Sequence, residues 1–255
     1  MKNVKPVVTP LAPHFKFSGK QSPTTAEDKA CMENVPYASA VGSLMYAMVC
    51  TCPDISQAVS IVSRFMTNPG KAHWEAIKWI LKYLKGTIDI GLCFSEKSCQ
   101  ISGFVDSDYA GDLERRRSTT GYVYKIQGAP VSWRSMLQAT MALSTTETEY
   151  MVVAEEVKEA LWLNGLLDDL GFQQDCVNLS CDSQSAIHLA KNQVHHARTK
   201  HIDVRYRFVR DVIEKRNYVS FDPGKGYIGN RCQDDATKYE YYNLFVQDLS
   251  QFFKL

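Results

Sequence analysis

No stretch of the 255-residue sequence approaches the ~20 consecutive apolar residues that a membrane span needs. The longest candidate, Ala38 to Val49, is interrupted by Ser39, Gly42 and Ser43. The start, MKNVKPVVTPLAPHF, has no apolar core followed by a small-residue cleavage site, so the expectation is an intracellular chain that is not secreted. None of the eight cysteines (31, 50, 52, 93, 99, 176, 181 and 232) forms a C-x-x-C pair, and Cys50-Thr51-Cys52 is too tight for a usual zinc knuckle. They read as reduced thiols. Net charge is nearly absent, with 29 Lys+Arg against 28 Asp+Glu. That excludes a highly basic chromatin binder or a disordered acidic tail as a description of the whole chain. The six histidines offer no nucleophile–base pair; His201 and Asp203 lie two apart on an expected helix and face different ways. A polymerase of the reverse transcriptase kind needs a Y-x-D-D-type pair on a hairpin, and the sequence has none. Phe104-Val105-Asp106-Ser107 lacks the second Asp, and Leu167-Asp168-Asp169 sits at a helix end.

What is present is the length and apolar content of one large domain or two small ones. Residues 1–34 carry four of the nine prolines and no sustained period, and read as an extended or poorly ordered lead-in. From Tyr37 to Gly86 the pattern is helical. Asp54, with Gln57 three residues on, resembles a capping box for a helix to about Met66, which Asn68-Pro69-Gly70 stops. Trp74, Ile77, Leu81 and Leu84 mark one face of the next helix.

After Gly86 short β-like runs take over: Ile88–Phe94, Gln100–Val105, Thr119–Ile126 and Val131–Trp133, with a turn at Gln127-Gly128. A long helix is expected from Thr145 to Leu167, then a strand at Val177–Cys181. A helix over Ser183–Ala190, another over Thr199–Arg216 and a strand at Tyr218–Phe221 complete the series. Counted from Gln100, the order β-β-β-α-β-α-α-β predicts an α/β fold, a mixed sheet flanked by helices.

Three carboxylates fall where such a sheet binds ligands. Asp106 ends the first strand, Asp182 follows the strand after the helical crossover, and Glu149 lies near the start of the long helix. Like charges gathered at one edge repel unless a cation neutralises them. Hard oxygen donors suit Mg²⁺ or Mn²⁺, and two such ions ~3.5–4 Å apart suit phosphodiester hydrolysis. Structural duties compete for the same residues. Asp182 before Ser183 could cap the next helix, and Asp106 and Asp108 could serve a turn. Glu147 fits a capping box with Ser144, which leaves Glu149 for the site.

The segments FVDSDYAGDLERRRSTTGYV (104–123), ALSTTETEYMVVAEEVKEALWL (142–163), LSCDSQSAIHLAKN (179–192) and RTKHIDVRYRFVRD (198–211) resemble the ribonuclease H domain of copia-type retrotransposon polyproteins. VPYASAVGSLMYAMVCTCPDISQAVSIVSRFM (35–66) and HWEAIKWILKYLKGT (73–87) resemble the end of the reverse transcriptase region before it. The resemblance implies four parts: the lead-in 1–34, a helical reverse transcriptase remnant 35–87, a ribonuclease H-like domain 88–221, and a divergent tail 222–255. It implies a five-stranded mixed sheet and cleavage of the RNA strand of RNA–DNA hybrids with two divalent metals. The catalytic and metal-binding acids carry over onto Asp106, Glu149 and Asp182. The usual fourth acid lies in A-D-x-x-T-K; here only Asp234-Asp235-Ala236-Thr237-Lys238 keeps that spacing, from Asp234, in surroundings that do not match.

For holding a hybrid, residues 191–216 carry eight bases against three acids, whereas 141–182 carry nine acids and one base. Arg198, Lys200, His201 and Arg205 open the basic helix, whose first N–H groups favour phosphate; a solvated helix face is the alternative. Arg115-Arg116-Arg117 forms a second basic patch. The expected partners are an RNA–DNA hybrid and other Pol or Gag proteins of a retroelement, with no membrane. Two functional readings stay open: a metal-dependent hybrid ribonuclease, and an inactive relic that folds and at most binds nucleic acid.

Overall fold

The computed structural model describes residues 4–94, 99–174, 176–191, 209, 211–212 and 219–223. The chain divides into two compact units, one of residues 1–92 with 113–115, the other of 93–112 with 116–255.

The first unit is helical: α1 Ala26–Glu33, α2 Tyr37–Cys50, α3 Ser56–Ser63 and α4 Lys71–Gly86. Its core joins Tyr37, Val41 and Leu44 of α2 with Val59 and Val62 of α3 and Ile77, Ile80 and Tyr83 of α4. The Tyr37 hydroxyl donates to the Val62 carbonyl at 2.8 Å, so the ring is buried with its polar end satisfied. Three expectations are corrected here. The lead-in is not extended throughout: all its prolines precede Thr25, whose side chain accepts from the Asp28 N–H at 3.2 Å and starts α1. Asp54 is not the cap of α3, which follows Ile55 with no side-chain cap bond; it lies in a short 3₁₀ turn, Pro53–Ile55, and its carboxylate accepts from the Tyr83 hydroxyl at 2.6 Å. On α4 the buried face centres on His73, Ile77, Ile80 and Tyr83, with Trp74, Leu81 and Leu84 packing at its margin.

The second unit is a five-stranded sheet: β1 Ser102–Ser107, β2 Thr119–Ile126, β3 Ala129–Leu137, β4 Val177–Cys181 and β5 Val219–Pro223. Their order is β3-β2-β1-β4-β5. The β1–β2 and β2–β3 pairs are antiparallel, and β1–β4 and β4–β5 are parallel. This is the five-stranded mixed sheet flanked by helices that the resemblance implied. The β2–β3 hairpin turns at Gln127 (φ 54°) and Gly128 (φ 78°), the two positive φ values of a twist-compatible two-residue turn. The expected strand Ile88–Phe94 is not formed. Ile88 is 80% and Phe94 54% exposed, so the alternation there has no surface to cover.

Helix α5, Thr145–Asp169, crosses the sheet, and α6, Gln184–Lys191, follows β4. Tyr150, Val153, Val157, Ala160 and Leu163 of α5 pack on Ile101, Val105, Tyr124 and Leu179. Burying the four large side chains among these at ~1.5–3 kcal/mol each supports a helix this long, although Trp162 and Leu166 stay exposed on its outer side beside Glu155 and Lys158. The Tyr124 hydroxyl donates to the Glu156 carbonyl at 2.7 Å, fixing helix against sheet at mid-length. The expected helix Thr199–Arg216 lies largely outside the described residues; within it, Val209 and Val212 are buried against the core. Among the described residues no helix is long and apolar enough to cross a membrane.

Candidate active site

β1 and β4 are parallel neighbours with Val105 opposite Cys181, so the next residue of each, Asp106 and Asp182, comes to the same end of the sheet. Asp106 is the fifth residue of β1, one short of the strand's end, and its Oδ1 accepts from the Ser107 N–H at 2.8 Å. Asp108 has a loop-closing duty: its carboxylate accepts from the Thr119 N–H, and its own N–H donates to the Thr119 carbonyl at 3.0 Å. Asp182 is exposed just past β4.

Glu149 reaches this edge because the start of α5 is tied down on three sides. Ser144 caps it, its hydroxyl accepting from the Glu147 N–H at 3.2 Å. Glu147 returns a bond to Leu143 N–H at 2.8 Å, one residue before the cap, and so takes the structural role expected of it. Thr148 is held by the Ser118 hydroxyl at 3.2 Å, and its carbonyl by the Gln138 amide at 3.1 Å. The residue after that anchor is Glu149.

One ligand atom each from Glu149, Cys181 and Asp182 lie within 4.8 Å of one another. Burial first, then the Asp106 charge, pushes the Glu149 carboxyl up to about 8, with Asp182 adding to the rise and Ser107 opposing it. Glu149 Oε2 is buried and has no hydrogen-bond partner among the described residues. A carboxyl in that position is short of a positive partner, and a divalent cation suits the oxygen donors that surround it. Asp106, Glu149 and Asp182 thus share one electrostatic neighbourhood. Sequence reasoning missed Cys181, whose thiol burial pushes up to about 12. Its signal was present in the strand alternation, which turns Cys181 inward next to Asp182.

Asp234 and the basic residues Arg198, Lys200, His201 and Arg205 lie outside the described residues. Of the second basic patch, Arg115 and Arg116 are exposed, and backbone bonds from Asp112 to Arg117 (3.0 Å) and from Arg116 to Asp112 (2.9 Å) close the loop that carries them. The cysteines among the described residues are all free thiols.

No protein-family model matches the chain. It is 56% identical over 214 residues to the retrovirus-related Pol polyprotein from transposon TNT 1-94 of Nicotiana tabacum, covering 84% of this chain and 16% of that one. Against the Pol polyprotein from transposon RE2 of Arabidopsis thaliana it is 36% identical over 219 residues, 84% of this chain and 14% of that one. It is also 50% identical over 133 residues to a Plasmopara viticola protein named secreted RxLR effector protein 161, covering 52% of this chain and 94% of that protein. Among solved structures, LC11 ribonuclease H1 from compost overlays with a TM-score of 0.37 at 13% identity, covering 59% of this chain and 97% of that one. An overlay that loose carries no weight for the site, and the fold rests on the strand order and pairing described above. The extent and identity of these matches decide the kinship: the chain is similar to one stretch of the retrovirus-related Pol polyproteins of transposons, a stretch that is 16% of the length of the tobacco relative.

Proposed function

We propose that this chain is the ribonuclease H segment of a copia-type Pol polyprotein and hydrolyses the RNA strand of RNA–DNA hybrids with Mg²⁺ or Mn²⁺. The observation that carries the reading is the Glu149 carboxyl, buried beside Asp106 and Asp182 with one oxygen unpartnered. Such a group is costly in a fold unless it serves a cation.

Asp106, Glu149 and Asp182 would hold two divalent ions, which supply an activated water and charge neutralisation at the leaving 3′-oxygen. The chain's own part is positional. The paired β1 and β4 ends fix two carboxylates, and the capped, anchored start of α5 fixes the third, before substrate arrives. Arg198, Lys200, His201 and Arg205 are assigned to the phosphates of the hybrid, and Asp234 to the fourth acid on its D-x-x-T-K spacing.

The test is cleavage of a labelled RNA–DNA hybrid in Mg²⁺ by wild type and Asp182→Asn. Multiple-turnover cleavage by wild type alone supports the reading. Equal background from both proteins overturns it, and salt-dependent hybrid binding without cleavage identifies an inactive relic instead.

A further inference from the structure

A thiol is out of place among donors meant only for Mg²⁺. Sulfur is a soft ligand that Mg²⁺ avoids and that Zn²⁺ and Cd²⁺ favour, and carboxylate oxygens serve those ions equally well. The Cys181 side chain is 1% exposed, and its Sγ lies within 4.8 Å of carboxylate oxygens of both Glu149 and Asp182. The donors come from two elements, α5 and the end of β4, which backbone pairing and the α5 anchors hold in place. A second observation marks the spot. Ser107 is 7% exposed and lies against the Glu149 carboxyl, whose buried Oε2 has no hydrogen-bond partner among the described residues. An orphaned, buried carboxylate oxygen at a convergence of donors points to a ligand.

We propose that Glu149, Cys181 and Asp182 form a three-donor site for a thiophilic divalent ion of the Zn²⁺ or Cd²⁺ class, which competes with the hard cations of the acidic edge. Donors on one such ion, at about 2.3 Å for sulfur and about 2.1 Å for oxygen, sit no more than about 4.4 Å apart. Small side-chain rotations therefore close the set. The exposed Asp182 gives the ion a way in, and solvent completes its coordination. As the metal–sulfur bond forms, the thiol proton passes to solvent, and a Glu149 carboxyl that is protonated beforehand gives up its proton as well. Binding rests on the geometry alone; inhibition by competition rests on the hybrid-ribonuclease reading.

The experiment titrates Cd²⁺ alone into the full chain, without nucleic acid, and follows thiolate-to-metal absorption and stoichiometry. The other seven cysteines set a background, so wild type is compared with Cys181→Ser. One equivalent fewer of thiolate-bound Cd²⁺ in Cys181→Ser is expected; identical stoichiometry and absorption overturn the site. Should Cys181→Ser fail to melt cooperatively, Asp182→Asn changes an exposed residue and leaves the buried thiol in place. Its Cys181-linked affinity should fall at least roughly tenfold, the loss that even an outer-shell change gives, and an unchanged affinity overturns the site.

Hybrid cleavage in Mg²⁺ separates the two claims. Cys181-dependent Cd²⁺ binding by a protein that never cleaves hybrid sinks the function and keeps the site. Cleavage that Cd²⁺ inhibits equally, relative to each protein's own Mg²⁺ activity, in wild type and Cys181→Ser sinks the competition and keeps the function.

Discussion

Ser183 caps α6: its hydroxyl accepts the Ala186 N–H at 3.3 Å, three residues into the turn. The adjacent Asp182 is thereby released from the capping duty that its position allows. The two neighbours should separate cleanly. Ser183→Ala is expected to cost about 1 kcal/mol in urea unfolding, the usual worth of a cap. Asp182→Asn should stay within about 0.5 kcal/mol of wild type, as for an exposed site without a structural partner, while hybrid cleavage drops to background. A large loss of stability in Asp182→Asn would return the residue to a structural role.

Cation binding should be visible as stability. If Asp106 and Glu149 hold divalent ions, Mg²⁺ at ten times its Kd should stabilise wild type by about 1.4 kcal/mol, and EDTA should reverse it. Asp106→Asn and Glu149→Gln should lose that increment. An Mg²⁺ increment that survives both changes places the ion elsewhere.

Glu156 predicts a pH dependence of its own. Its side chain is 4% exposed, and burial, with Glu159 and Glu155 nearby, pushes the carboxyl up to about 9. In the unfolded chain it ionises near its ordinary value, so between about 4.5 and about 9 the folded state holds a proton that the unfolded state has lost. Stability therefore falls as pH rises through that window, by at most about 1.4 kcal/mol per unit from this group. Chemical unfolding at pH 6 and pH 9 should show a smaller drop in Glu156→Gln than in wild type. Parallel lines for the two proteins would mean that Glu156 finds a compensating partner.

Gly103 tests the packing behind the site. A Cβ there would run into the Tyr124 ring and lie 2.8 Å from Leu179 Cδ1. Gly103→Ala should cost roughly 1–3 kcal/mol by overpacking, although alanine suits a strand better than glycine does. A neutral or stabilising outcome in a thermal melt would show that β1 can shift, and with it Asp106.

Much of this architecture was legible in local chemistry. Ser144-Thr145-Thr146-Glu147 announces the start of α5, and Leu170-Gly171 its end; the helix runs Thr145–Asp169. Gln127-Gly128 marks the hairpin that forms there. Local patterns failed where partners decide. Ile88–Phe94 alternates like a strand, yet no neighbouring strand takes it up. α1 was hidden behind prolines that all lie upstream of it. Asp182 and Ser183 are both good cap residues, and only the geometry of the first α6 turn selects the serine. Cys181 was legible as an inward strand residue. That its sulfur shares a neighbourhood with Glu149 depends on how α5 crosses the sheet, which no local window contains.

The strand order has a consequence for when the acidic edge assembles. β1 is the central strand, and its hairpin partner β2 follows it directly, but β4 arrives only after the whole of α5. Contacts between segments so distant along the chain carry the largest loop-closure penalty and tend to form late. The β1–β4 pairing is the one that brings Asp106 and Asp182 to a common edge. A partly synthesised or clipped chain can therefore hold its hairpin and still own no acidic edge, which should assemble only with the long-range closure of β1 on β4.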